Sequence, residues 1–274
     1  MTRLQLFDKI KEKESFLCVG LDPDFSKMPA AIKDAEDPIF EFNKAIIDAT
    51  LPYAVAYKPN IAFYEAHGSK GWASLEKTVD YLPDNVFKIA DAKRGDIGNT
   101  SVQYADAFFK TMDFDAITVA PYMGEDSVKP FIEYGHKWAI VLASTSNGGS
   151  LDFQDVMVDN KSEKLYERVI RKTMEWGSIH NTMFVIGATR VETLLNIRTL
   201  CPGHFLLIPG VGAQGGDIDL VCRYGMNKHG GILINSARSI IYAGSGDDFA
   251  KKAEEAAKKL QQKMAAAILK QGLW

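Results

Sequence analysis

A single-domain (β/α)8 barrel spanning residues 1–274 is the fold class that the sequence predicts, and three observations predict it. Eight short apolar runs alternate with eight longer amphipathic ones. No Pro/Gly/Ser-rich linker or shift in composition divides the chain. Charged and polar residues collect where several of the apolar runs end. A parallel strand buried on both faces reads as a continuous apolar run, and a helix covering it repeats its apolar residues every three or four positions. With 274 residues and 46% hydrophobic content, the chain could bury one large core or two smaller ones. The unbroken alternation favours one barrel.

The elements follow in order. Residues 1–15 form an amphipathic helix with Leu4, Phe7 and Ile10 on one side, and they lack the apolar core of a secretion signal. Strand one, 16–21, is apolar throughout and ends at Asp22 and Pro23, and Asp37 then caps a helix over 38–50. Strand two, 54–58, ends in Lys58 and is stopped by Pro59 and Asn60; a helix over 71–81 follows. Strand three, 86–90, leads into Asp91, Ala92, Lys93, Arg94, Gly95 and Asp96, and then a helix over 100–111. Strands four and five, 116–120 and 139–143, flank a helix over 126–134. The stretch 147–162, rich in Gly, Asp and Ser, reads as the longest irregular connection, and a helix over 163–179 comes after it. Strands six, seven and eight, 183–187, 204–208 and 231–234, alternate with helices over 190–200 and 218–224, and a helix over 248–269 closes the pattern.

Composition narrows the function. A net charge of -3 offers no basic footprint for nucleic acid, and no apolar segment approaches the length of a membrane span. Neither a nucleic acid nor a membrane is therefore expected as a partner, and a cytoplasmic protein is. Cys18, Cys201 and Cys222 are odd in number, without a Cys-x-x-Cys pair, and read as reduced core thiols. The five histidines show no spacing that would ligate a metal.

The strand ends carry the chemistry. Alternation along a strand sends Asp91 and Lys93 to one face, a carboxylate beside an ammonium, with Lys58 and Asp22 at neighbouring strand ends and Asp96 close behind. Such balanced clusters perturb pKa values and stabilise developing charge. Barrel enzymes also hold phosphate in the loops after strands seven and eight. Here those loops contain Gly210, Gly212 and Gly215, whose backbone N–H groups could approach an anion closely, and Arg238, a planar fork matched to phosphate oxygens. A phosphorylated substrate is predicted.

Other motifs have blander readings. The three glycines also match Gly-x-Gly-x-x-Gly, but the next strand ends in Asn235 where a dinucleotide site would place an acid. Arg94-Gly95-Asp96 spells an adhesion tripeptide and Asn99 to Ser101 a glycosylation sequon, and without a secretion signal both read as accidents. Asp24 shapes the turn at Pro23. Tyr122 and Met123 are open to pocket lining or to packing.

At these residues the chain resembles the orotidine 5′-monophosphate decarboxylase family, in its longer bacterial type. The resemblance runs through 19–24, 57–68, 90–101, 118–131, 144–150, 208–217 and 235–243. Asp91, Lys93 and Asp96 alone also resemble the related keto-gulonate phosphate decarboxylases; Lys58 completes the tetrad that separates the two. The resemblance implies that Lys93 protonates C6 of the pyrimidine, with Asp91 against the substrate carboxylate. Lys58 and Asp22 would bind ribose hydroxyls, Ser146 the pyrimidine edge, and Gln214 with Arg238 the phosphate. Asp96 and Thr100 would reach the substrate of a second subunit, making a homodimer. A fixed ammonium would stabilise a carbanion that has no π-system, so no metal or organic cofactor is expected, and the loop after strand seven is the lid candidate. A magnesium-dependent sugar-phosphate decarboxylase, a non-catalytic nucleotide-binding barrel and an adhesion module remain as alternatives.

Overall fold

Eight parallel strands close into a barrel in which each strand pairs with its neighbours in sequence and the first joins the last. The computed structural model describes residues 1–160, 162–187, 191–211 and 217–272, with the side chains of 191 and 192 also left out of the description. The strands are β1 (Leu17–Leu21), β2 (Ala56–Pro59), β3 (Phe87–Arg94), β4 (Ala116–Val119), β5 (Trp138–Ser144), β6 (Thr182–Ile186), β7 (Phe205–Pro209) and β8 (Ile232–Ser236). Closure sets Leu17 beside Ile234 and Cys18 beside Asn235. The expected barrel is the one observed.

Helices clothe the strands: α1 (Arg3–Lys13), α2 (Pro38–Thr50), α3 (Gly68–Tyr81), α4 (Gly98–Asp106), α5 (Glu125–Ile132), α6 (Leu165–Trp176), α7 (Val191–Leu200), α8 (Ile218–Gly225) and α9 (Phe249–Lys270). Local chemistry starts them where they start. Thr2 and Gln5 form a reciprocal capping box for α1, and Asp37 caps α2 by accepting from Phe40 N at 3.2 Å with Pro38 in the first turn. Barrel strands and covering helices meet in one apolar core that includes Phe42, Leu75, Ile117 and Ile208, all fully buried. Cys18, Cys201 and Cys222 are free and buried in it.

The lower end, where strands begin, is shut by protein. α1 packs there, with Trp138 Nε1 donating to Met1 O at 2.9 Å and Arg3 Nη2 to Gly203 O at 3.0 Å. From α7, Arg198 donates to the carbonyls of Gly225, Cys201, Pro202, His204 and Gly231 at 2.7–3.4 Å.

Two irregularities mark the upper end. Strand three was expected to stop at residue 90, and it continues to Arg94, which pairs with Val119 while Ala90 pairs with Ile117. Four steps along β3 thus match two along β4, a bulge that holds Asp91, Ala92 and Lys93. Between β5 and β6, Leu142 pairs with Val185 but Ser144 with Ile186, a second slip just before Ser146.

Elsewhere the expected boundaries shift. Pro59 lies inside the end of β2, and α3 begins three residues before the predicted 71. The predicted helix 100–111 is α-helical only through Asp106, then widens into a π turn over Ala107–Thr111. The stretch 147–162 contains a 3-10 turn, Gly148–Asp152, and a short strand, Met157–Val158, which pairs with Glu163–Lys164; that pairing delays the next helix to Leu165.

Candidate active site

Asp91 is the centre of the site. Its Oδ2 accepts from Lys58 Nζ at 2.7 Å, and its Oδ1 from Lys93 Nζ at 2.6 Å and from Thr118 Oγ1 at 3.1 Å. Lys58 is buried at the end of β2, whereas the Lys93 side chain is 50% exposed. Burial alone would raise the Asp91 carboxyl, but Lys58 and Lys93 overcome it and hold the group well below the usual carboxylate range. Burial likewise opposes charge on Lys58, yet Asp91 and Asp22 outweigh it and its ammonium is raised. Asp91 stays ionised, held by Lys58 and Thr118 as well as by Lys93.

Simple alternation does not create the Asp91–Lys93 pair. Lys93 sits at φ 49°, in the left-handed region, which costs a lysine on the order of 1–2 kcal/mol. The bulge supports this conformation through Lys93 N, which donates to Thr118 Oγ1 at 2.9 Å. Thr118 thus contacts both the carboxylate and the backbone of the lysine. Sequence reasoning left it out, although a threonine within the apolar run of strand four was a signal.

Asp22 links this cluster to the opposite end of the cleft. A cavity of about 250 Å³ is lined by Asp22, Ser146, Gly210, Asn235, Ala237 and Arg238, among others. The buried Oδ1 of Asp22 has no hydrogen-bond partner among the described residues. Burial pushes this carboxyl up, Lys58 pulls it down, Asp91 pushes it up again, and Lys93 and Arg238 pull it down. The net shift is upward. Tyr242 holds the segment from behind, its hydroxyl donating to Asp22 O at 3.0 Å and accepting from Asp24 N at 2.5 Å.

Close packing brings the lining together. A Cβ on Gly20 would come within 2.5 Å of Ala237 Cβ, and one on Gly187 within 2.7 Å of Ser146 N, so both approaches require glycine. The turn carrying Ser146 is braced by Gln154 Oε1, which accepts from Thr145 N at 2.7 Å. Gly210 has φ 87°. Arg238 is exposed, and its guanidinium has no hydrogen bond or ion pair among the described residues. Gln214, Gly212 and Gly215, with the lid reading of their loop, lie outside the described residues. Asn235, read from sequence only as evidence against a dinucleotide, is a cleft residue.

Asp96 and Thr100 stand apart. Asp96 Oδ1 accepts from Ile97 N at 2.8 Å, its carbonyl accepts from buried Ser101 Oγ at 2.5 Å, and Thr100 is exposed. Among the described residues no ion pair joins Asp96 to Lys58, Asp91 or Lys93 within the chain. Asp24 behaves as the turn former expected, capping the turn Phe25–Lys27. Tyr122 is 86% exposed and lies beside Phe153 at a second, apolar cavity of about 400 Å³, away from Asp22. Among the described residues no group of three or more His, Cys, Asp or Glu side chains is arranged to hold a metal ion, and no helix is long and apolar enough to cross a membrane.

Comparison with known proteins points one way. The sequence model of the family described as "Orotidine 5'-phosphate decarboxylase / HUMPS family" matches residues 15–256. The chain is 56% identical over 267 residues to orotidine 5'-phosphate decarboxylase of Phocaeicola vulgatus, covering 96% of this chain and 98% of that one. It is also 56% identical over 271 residues to the protein of the same name from Flavobacterium johnsoniae, covering 98% of each. Among solved structures, OMP decarboxylase of Leishmania donovani superposes with a TM-score of 0.84 at 36% identity, over 97% of this chain and 98% of that one.

Proposed function

Because this chain belongs to the orotidine 5'-phosphate decarboxylase / HUMPS family, we propose that it converts orotidine 5′-monophosphate to uridine 5′-monophosphate and carbon dioxide, completing UMP synthesis. The observation that carries the reading is the Lys58–Asp91–Lys93 array, joined through Asp22 to a cleft that ends at Arg238. Lys58 at the end of β2 favours the nucleotide substrate over a sugar phosphate. The chain acts as one domain over 1–274 and works in the cytoplasm, in keeping with its unpaired thiols.

In the reaction, the bond from C6 to the carboxylate breaks and its electron pair remains on C6, in the plane of the ring. No π-system accepts it. The Lys93 ammonium faces the pair, stabilises it, and then transfers a proton from Nζ to C6. Asp91 lies against the departing carboxylate, disfavouring it in the ground state while Lys58 and Thr118 keep Asp91 in place. Asp22 and Lys58 receive the ribose hydroxyls, and the otherwise unpartnered Asp22 Oδ1 suits that role. Ser146 meets the pyrimidine edge. Arg238, Gln214 and the backbone at Gly210, Gly212 and Gly215 take the phosphate, binding energy that serves turnover as well as affinity. This chemistry requires neither metal nor organic cofactor.

The site is shared between two subunits. Exposed Ile97, Val102, Tyr122 and Met123 form apolar surface on the segments beside Asp96 and Thr100. A second copy seated there brings Asp96 and Thr100 to the partner's substrate, and two-fold symmetry makes the contribution reciprocal.

Two experiments test the reading. Release of carbon dioxide from orotidine 5′-monophosphate is expected, with orotidine itself turned over far more slowly; equal rates on both would refute the phosphate site. Inactive Lys93→Ala and Asp96→Ala proteins, mixed with confirmed subunit exchange, should regain about a quarter of wild-type activity, since half the dimers then hold one intact site. No recovery would refute the shared site.

A further inference from the structure

Arg94 follows Lys93 directly, yet no step of the reaction above uses it. Its guanidinium is where three elements of the upper rim meet. Nη1 donates to Ala92 O at 2.9 Å, inside the bulge that holds Asp91 and Lys93. Nη2 is paired with Glu65, the last residue of the short helix Ala62–Glu65 that follows Lys58 and β2. The plane of the group lies over Tyr104 and Phe108, 5.5 and 5.6 Å from the ring centroids, on α4 and its π turn. The side chain is only 19% exposed, which removes Arg94 from any displayed adhesion tripeptide.

The backbone explains the need for such a tie. The Asp91 carbonyl is anchored by Ile61 N, which donates to it at 3.3 Å, and Arg94 O accepts from Ala120 N at 2.8 Å. Between those anchors, Lys93 adopts a left-handed conformation that persists only where its surroundings over-determine it. Thr118 holds the amide N–H of Lys93, and Arg94 holds the Ala92 carbonyl of the same peptide bond. A guanidinium can grip a carbonyl and a carboxylate in one plane while stacking on aromatic rings; an ammonium cannot.

We propose that Arg94 is a positioning residue for Lys93: by tying Ala92 O to Glu65 and to the Tyr104/Phe108 rings, it sets the backbone from which the Lys93 ammonium reaches C6. This rests on Lys93 being the proton donor. It concerns the chemical step and leaves nucleotide binding to Asp22 and Arg238.

The test measures kcat and KM on orotidine 5′-monophosphate, equilibrium binding of UMP, and the thermal midpoint, for Arg94→Lys, Glu65→Gln and the double variant. Arg94→Lys is expected to lower kcat about 30-fold or more, because small misplacements of a reacting group carry such penalties, while UMP affinity stays within about threefold. Glu65→Gln, which leaves the contact to Ala92 in place, should lower kcat about fivefold, and the double variant should be no slower than Arg94→Lys, as expected for one coupled unit. A kcat within about threefold of wild type for folded Arg94→Lys would overturn the proposal, as would parallel loss of turnover and UMP binding. If Arg94→Lys fails to fold, Glu65→Gln decides alone by the same split between kcat and UMP binding. Wild-type protein inert toward orotidine 5′-monophosphate would instead overturn the functional reading.

Discussion

Arg198 at the foot of the barrel and Arg238 at its mouth are the same side chain put to opposite uses. Arg198 directs its donors into five backbone carbonyls, and burial pushes its guanidinium down to about 10. Arg238 is exposed, its guanidinium without a partner among the described residues, and it shares a cavity with a carboxylate oxygen that is also unpartnered. The donors of Arg198 are taken up by carbonyls that close the foot of the barrel, whereas the Arg238 guanidinium and Asp22 Oδ1 at the mouth have no such partner among the described residues. The contrast extends to strand register, where both slips lie at the upper end. Activity and stability should therefore separate by position along the barrel axis.

The strongest separation is expected at Lys93. On the proposed chemistry Lys93→Ala removes both the proton donor and the facing cation, and turnover should fall by at least about 10⁴-fold. Its half-exposed side chain adds little to packing, and Asp91 retains Lys58 and Thr118, so the thermal midpoint should move by no more than about 3 °C. Turnover within tenfold of wild type would break the assignment.

The two arginines give a paired test. Arg238→Ala should lower kcat/KM by about 10²–10³-fold, with the loss shared between kcat and KM, and leave unfolding by urea unchanged. Arg198→Ala should do the reverse. It strips partners from carbonyls at the start of β7 and β8, costing on the order of 3 kcal/mol, while the folded fraction turns over normally. An Arg198 variant of normal stability but impaired turnover would erase the division between the ends.

That division also separates what the sequence discloses from what it conceals. Apolar runs mark buried strands by composition alone, so all eight barrel strands were visible, and charges at their ends drew attention to Asp22, Lys58, Asp91, Lys93 and Arg238. The bulge was not visible, because a register slip depends on β4 as well as β3, and alternation brought Asp91 and Lys93 together for a different reason from the one observed. Thr118 and Arg94 were hidden for a related cause. Part of each role is a contact to backbone atoms, which side-chain type signals only faintly, as in the polar break that Thr118 makes in an apolar run. At the foot, Arg198 and His204 looked like ordinary helix and strand residues, since closure there also uses backbone carbonyls.

His204 offers the finest test of the closed end. The residue is 6% exposed, both ring nitrogens are buried without a partner among the described residues, and the ring packs against Phe184 with Arg3 and Arg198 nearby. Burial first, and then the two guanidinium groups, push the imidazole down to about 4. In the unfolded chain it titrates near 6.5, so between these values the unfolded state binds the extra proton. The neutral ring's contribution is thus fully present above about pH 6.5 and is lost as pH falls toward 4, by roughly 3 kcal/mol in total. Urea unfolding at pH 7.5 and 4.5 should show a smaller acid loss for His204→Gln than for wild type, by about 2–3 kcal/mol, because the amide does not titrate. Other groups contribute to acid unfolding in both proteins and cancel in the difference. Turnover of the folded variant should match wild type, since the ring lies at the end of the barrel remote from Lys93. Equal acid losses in the two proteins would mean that the ring accepts its proton without unfolding, and that the foot of the barrel admits charge as its mouth does.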